Sequence, residues 1–149
     1  DFAKITPRGG MIIYGRSDAT LNAGGIRIGT ADIYRVVDET IAEVRDSVIV
    51  GKQVGKIGGD EVKVVLFVLM AEGCALTPKL KHLIRNRIRD ACSARHVPNV
   101  ILTCPDIPYT ISGKKVELAV KKALEGKAIK NKSALRNPDC LEFYIKAKV

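Results

Sequence analysis

The run Glu61-Val-Lys-Val-Val-Leu-Phe-Val-Leu-Met-Ala71 constrains this chain more than any other segment. It is apolar almost throughout, rich in β-branched valine, and interrupted only by Lys63. A membrane-spanning helix needs about 20 apolar residues, so this run is too short to cross a bilayer. Short valine-rich runs bounded by polar residues read as buried strands. The chain must therefore build a sheet around Glu61–Ala71 and cover it.

The flanking segments supply partners. Ser47–Val50 reads as a second buried strand, and Asn99–Thr103, after Pro98, as a third. Ile33, Val36, Val37 and Ile41 recur at helical spacing, which predicts a helix from Ala31 to Glu43 with Thr30 as its N-cap. Thr77-Pro78 starts a second helix, with threonine as cap and proline in the first turn. Leu80, Leu83, Ile84, Ile88 and Ala91 form its apolar face. Val116, Val120, Ala123 and Leu124 make a last helix, ended by Gly126. Lys52–Asp60, with Gly55, Gly58 and Gly59, reads as a loop. Before the first helix, Met11–Tyr14 is a short strand preceded by the turn Thr6–Gly10, and Leu21–Ile28 folds as a small hairpin about Gly24-Gly25. From Lys127 onward the chain is polar and is expected to wrap the surface or fray. The sum is a small α+β domain: a three-stranded sheet packed with helices, plus an N-terminal β-hairpin.

Composition narrows the function classes. A chain of 149 residues fits one domain. Its net charge of +9 suits either ordinary solubility or a surface that meets phosphates. Those phosphates could belong to a nucleic acid, a nucleotide or coenzyme A. Aromatic residues are only 5% and tryptophan is absent, which disfavours a stacking platform for single strands. Four cysteines, Cys74, Cys92, Cys104 and Cys140, form no C-x-x-C pair and have only two histidines to help a metal site. That pattern reads as free thiols in a reducing, cytoplasmic setting, with no metal site expected. The chain opens at Asp1 with neither a leader peptide nor an initiator methionine, so a fragment of a longer protein is expected.

Three segments could carry chemistry. In Pro108-Tyr-Thr-Ile-Ser-Gly-Lys-Lys115 a glycine before a lysine permits a tight turn from which an ammonium projects. Such a group can neutralise charge on a carboxylate or phosphate oxygen as it develops in a transition state, although a basic surface turn has the same appearance. Gly15-Arg-Ser-Asp18, followed by Gly24-Gly25-Ile-Arg27, lacks the phosphate-loop spacing. It reads either as a hairpin with ordinary turn glycines or as a swivelling linker whose glycines let a ligand approach the backbone. Lys81, Arg85, Arg87 and Arg89 form either a solvated helix face or a phosphate-holding patch. His82 and His96 have no nucleophile at recognisable spacing and read as structural.

Taken in order, these segments resemble the adenylate-forming superfamily of acyl-CoA synthetases over nearly the whole chain. Gly15–Gly29 is similar to that superfamily's hinge motif, and Pro108–Glu117 to its C-terminal lysine motif. Acetate enzymes usually follow the Gly-Lys pair with two apolar residues and arginine. Here Lys115-Val116-Glu117 follows, and that run, with Ser93–Pro98 and Asn137–Tyr144, is similar to the acetoacetate branch instead.

The resemblance implies a two-step ligase. ATP, carried with Mg2+, and a carboxylate give an acyl-adenylate, and coenzyme A then displaces AMP. It implies Lys114 as the catalytic lysine and Asp18 as the hinge about which the domain rotates between steps. Asp1 and Arg16 would contact the AMP ribose. Gly25 would line the pantetheine tunnel, and Arg27 and Arg89 would meet phosphates, Arg89 those of coenzyme A. Lys115, the rival to Lys114, is expected on the surface. Residues 1–17 would end a large N-terminal domain, 18–126 would be the mobile catalytic-lysine domain, and 127–149 a tail. The partners implied are that N-terminal domain and acetoacetate, with neither nucleic acid nor membrane. An acetate or propionate ligase, a regulatory domain that kept the fold, and a basic nucleic-acid-binding domain are the competing readings.

Overall fold

A computed structural model of the protein describes residues 1–17, 19–23, 25–55 and 61–149. Asp18, Gly24, Gly58 and Gly59 therefore lie outside the described residues. The chain opens with a hairpin of β1 (Phe2–Ile5) and β2 (Met11–Gly15), followed by a second of β3 (Leu21–Ala23) and β4 (Ile26–Ile28). Helix α1 (Ala31–Thr40) leads into β5 (Val44–Gln53) and β6 (Val62–Met70). Helix α2 (Pro78–Ala91) crosses to β7 (Val100–Thr103). Helices α3 (Glu117–Leu124) and α4 (Leu141–Lys146) complete the fold.

The strand order is β5-β6-β7, with β5 antiparallel and β7 parallel to β6. The long valine run is thus the central strand, and its lack of hydropathy alternation has a direct cause: both faces are covered. Val64, Leu66 and Val68 pack with α1 and α2 through Ile33, Val37, Ile84 and Ile88. Val65 and Phe67 point the other way, toward Ile107, Val120, Ala123 and Tyr144. Three layers result, with the sheet between two pairs of helices.

Local chemistry sets most boundaries. Thr77 caps α2, its Oγ1 accepting from the Leu80 amide at 3.1 Å, with Pro78 in the first turn. Thr30 does not cap α1: its backbone is already helical and its side chain makes no capping bond. That helix ends at Thr40, short of Glu43, because Ile41 turns extended and is buried. On α2, Leu83 and Ala91 are exposed, so the buried face narrows to Leu80, Ile84 and Ile88. The polar segment after β5 begins later than Lys52, since Lys52 and Gln53 pair with Lys63 and Val62.

The C-terminal segment departs most from its polar appearance. Residues from Lys127 neither fray nor merely wrap the surface. Leu135, Leu141 and Tyr144 are buried, and Ile129 and Phe143 pack against the same clusters. A few apolar residues, spaced by lysines, close the second face of the sheet.

The thiols report this packing. Cys74 is exposed, whereas burial pushes the Cys104 and Cys140 thiols up to about 11 and raises that of Cys92. The thiolate is the reacting form. A disulfide reagent at pH 7.5 is therefore expected to modify Cys74 first and the other three slowly, with all four reacting at once in denaturant. Fast labelling of Cys104 in the native chain would contradict this packing.

Candidate functional site

The candidate site is a short hairpin between β7 and α3. Tyr109 bridges Lys115 in antiparallel register, and the Thr110 amide donates to the Lys114 carbonyl at 2.8 Å. The Gly113 amide closes the tip on the Thr110 carbonyl at 2.9 Å, and Gly113 has φ +84°. Short hairpin loops of this kind need one left-handed residue, which glycine supplies without strain. Thr110 Oγ1 accepts from the Lys114 amide at 2.9 Å. A third strand from the C-terminal segment flanks the hairpin. The Ile111 amide donates to the Ala134 carbonyl at 3.0 Å, and the Arg136 amide to that of Tyr109 at 2.9 Å.

Successive side chains on an extended segment point to opposite sides, and the two lysines show it. Lys114 is exposed. Lys115 turns inward, with 17% of its side chain exposed. Its Nζ lies 3.0 Å from Asp46 Oδ1 and 3.7 Å from Asp38 Oδ2, donates to the Ser47 carbonyl, and sits 3.8 Å from the centre of the Tyr34 ring. The expectation that Lys115 lies on the surface is thus corrected, because two carboxylates from α1 and β5 draw it in.

The surroundings of Lys115 are fully engaged. Tyr34 donates its hydroxyl to Glu117 Oε1 at 2.6 Å and accepts from the Ile49 amide at 3.1 Å. Tyr109 donates to Asp46 Oδ2 at 2.6 Å, and Ser47 to Asp38 Oδ1 at 2.5 Å. Burial raises the Asp38 carboxyl above its usual range, partly opposed by the Ser47 hydrogen bond and by Lys115. Burial first, and then Asp46, push the Tyr109 hydroxyl well up, which keeps it a donor.

On the outer side, Lys114 and Arg16 line one cleft of about 230 Å³ with Ala19, Thr110, Val116 and Leu118, and Lys115 and Glu117 border the same cleft. Lys114 and Arg16 give the cleft cations that suit an oxygen anion such as a phosphate or carboxylate, with Glu117 the one carboxylate among its described lining residues and its Oε1 engaged by Tyr34. Asp1, Gly25, Arg27 and Arg89 do not line this cleft. Asp1 is exposed at the start of the chain, Arg27 is exposed on β4, and Arg89 is exposed in the last turn of α2, its Nη1 3.4 Å from Asn86 Oδ1. Gly25 has φ +78° in the β3–β4 turn, and a Cβ there would meet nothing within 4 Å among the described residues. Within this chain its requirement is conformational rather than steric. Asp18 lies outside the described residues.

The basic face of α2 divides. Arg85 donates to the Asn99 carbonyl at 3.2 Å and Arg87 to the Thr40 carbonyl, at the end of α1, at 2.5 Å. Both tie backbone together, which leaves Arg89 as the outward-facing member in the last turn. Among the described residues no group of histidine, cysteine, aspartate and glutamate could hold a metal ion, and no helix is long and apolar enough to cross a membrane.

Sequence reasoning missed the ring about Lys115. Tyr34, Asp38, Asp46 and Ser47 lie on α1 and β5, more than 60 residues upstream of the hairpin they hold (|i−j| is 68 for the Ser47 contact and 63 for Asp46–Tyr109). No local motif links them. The one available signal was the run Lys115-Val116-Glu117 after Lys114.

No family model matches the chain. It is 51% identical over 144 residues to the acetoacetyl-coenzyme A synthetase of Rhizobium meliloti (strain 1021), covering 97% of this chain and 21% of that protein. It is 47% identical over 150 residues to the acetoacetyl-CoA synthetase of Caenorhabditis elegans, covering all of this chain and 21% of that protein. Among solved structures it matches acetoacetyl-CoA synthetase from Streptomyces lividans with a TM-score of 0.84 and 37% identity, over 97% of this chain and 21% of that one. The chain thus spans about a fifth of the length of the relatives it matches.

Proposed function

Because the chain belongs to the acetoacetyl-CoA synthetase family and spans about a fifth of its members' length, we propose that it is the C-terminal, lysine-bearing part of an ATP-dependent acetoacetate–CoA ligase. The observation that carries this reading is the division between adjacent lysines. Lys114 stands exposed in a cleft with Arg16, while Lys115 is held by Asp46 and Asp38.

In the proposed reaction a carboxylate oxygen of acetoacetate attacks the α-phosphorus of ATP, and pyrophosphate leaves. The thiolate of coenzyme A then attacks the acyl carbon of the adenylate, and AMP leaves. Lys114 neutralises the charge that gathers between carboxylate and α-phosphate oxygens in the first step. Arg16 and Asp1 contact the ribose, and Asp18 is the hinge. Residues 1–17 then end the large domain, 18–126 form the mobile domain, and 127–149 a tail packed on it. The remaining four-fifths of the protein supplies the acyl pocket and the rest of the nucleotide site. ATP brings Mg2+ with it. Four free thiols fit a cytoplasmic location.

Arg27 and Arg89, both exposed, are the phosphate-binding cations, and Gly25 lines the pantetheine path. A charge-assisted hydrogen bond is worth about 1.5–3 kcal/mol. Arg89→Ala should therefore raise the KM for coenzyme A by about 10- to 100-fold and leave that for ATP nearly unchanged. A shift in the ATP constant instead would remove Arg89 from the coenzyme A site.

The reading as a whole is tested by AMP release from the full-length parent protein, with ATP and coenzyme A, across acetoacetate, acetate and propionate. Acetoacetate should be turned over fastest. Preference for acetate or propionate would move the substrate. No AMP release with any of the three would reject the ligase reading.

A further inference from the structure

We infer that Lys115 is a positioning residue, whose inward ion pairing sets the direction in which its neighbour Lys114 presents its ammonium. The inference rests on the reading of Lys114 as catalytic and adds a residue to that site.

Lys115 is the point at which the hairpin is fastened to the rest of the fold. Its Nζ reaches Asp46 on β5 at 3.0 Å and Asp38 on α1 at 3.7 Å, and it sits over the Tyr34 ring at 3.8 Å. Asp46 holds both arms of the hairpin. One of its oxygens meets Lys115, and the other accepts from Tyr109, directly across the bridge, at 2.6 Å. A hairpin fastened on both arms has little freedom to rock.

The arrangement costs desolvation of an ammonium and two carboxylates. A packed apolar side chain at this position could seal the layer at least as well, since half-buried ion pairs are weak contributors to stability. What an apolar side chain would lack is direction. The charge cluster fixes which side of the strand faces inward, and alternation then turns the exposed Lys114 outward at the cleft with Arg16, a cleft that Lys115 only borders from its buried position. A misplacement of about 1 Å in a positioned group can cost about 10²-fold in rate.

The test uses the full-length parent enzyme and the variants Lys115→Met and Lys115→Met/Asp46→Asn, with Lys114→Ala alongside. Methionine keeps the length of the stem without the charge. The second substitution removes the nearer of the two carboxylates that Lys115→Met would leave without their ammonium, Asp38 keeping the hydrogen bond from Ser47, while the amide oxygen still accepts from Tyr109. It decides the question should the single variant fail to fold. Adenylation is read as acetoacetate-dependent pyrophosphate–ATP exchange, and the second step as thioester formation from supplied acyl-adenylate. Both lysine-115 variants should lose about 10²-fold in the maximal exchange rate, with the KM for ATP little moved and thioester formation retained. Exchange at the wild-type rate in the double variant would overturn the inference. So would an equal fall in both half-reactions, the mark of a merely structural residue. If Lys114→Ala retained full exchange, the underlying assignment of Lys114 would fail instead.

Discussion

Tyr144→Ala is expected to cost about 3–5 kcal/mol of stability, the range for removing a buried aromatic ring. Tyr144 is fully buried although it lies five residues from the last residue of the chain. Its ring meets Phe67 edge-on at 5.0 Å and Phe143 at 5.3 Å, and its hydroxyl donates to the Asp106 carbonyl at 2.6 Å. Burial is the first cause that pushes that hydroxyl far above its usual range, so it stays a donor throughout the working pH range. The loss is large against a typical total of about 5–15 kcal/mol. Tyr144→Phe keeps the ring and loses one hydrogen bond, about 1 kcal/mol. Urea midpoints at constant slope would separate the two. A loss from Tyr144→Ala no larger than that from Tyr144→Phe would mean that α4 is peripheral to the fold. The consequence reaches the site, because the same segment pairs with the hairpin through Ala134 and Arg136. Damage to the C-terminal segment should therefore slow adenylation as well as weaken the fold.

Lys114→Ala is expected to lower adenylation by roughly 10²–10³-fold, the scale for removing one preorganised electrostatic partner of a developing charge. The lysine's amide and carbonyl are both fixed by Thr110, so its backbone is set before any ligand arrives. An interaction made mainly in the transition state appears in kcat rather than KM. The KM for ATP should move little. Lys114→Arg should not restore the rate, since a planar guanidinium does not occupy the place of a compact ammonium. A rise in the KM for ATP at unchanged kcat would show that Lys114 serves ground-state binding.

Much of the fold was legible because its determinants are local. The valine run specified a strand, Thr77-Pro78 specified a helix start, and the turn before Lys114 carried its glycine in sequence. The acyl-CoA synthetase resemblance rested on the same local motifs, in order. What escaped was non-local. Strand β1 gives little sign of itself beyond the turn after it. Thr30 has a capping side chain, yet its backbone joined the helix. The lysine-rich C-terminal segment hides Leu141 and Tyr144 among polar residues, and neither repeats with a period long enough to mark a buried helix. The inward turn of Lys115 depends on Asp38 and Asp46, which only the packing of α1 and β5 against the hairpin brings together. The turn that carries Lys114 was visible in the run Pro108–Lys115, but the residues that hold it come from α1, β5 and the C-terminal segment.

The measurement that bears most directly on the central claim compares the two half-reactions in the full-length parent, wild type beside Lys114→Ala. Pyrophosphate–ATP exchange with acetoacetate reports adenylation, and thioester formation from supplied acetoacetyl-adenylate reports the second step. Loss of exchange with retention of thioester formation is the predicted result. Equal loss of both, or exchange retained in the variant, would contradict the assignment of Lys114 as the adenylating lysine.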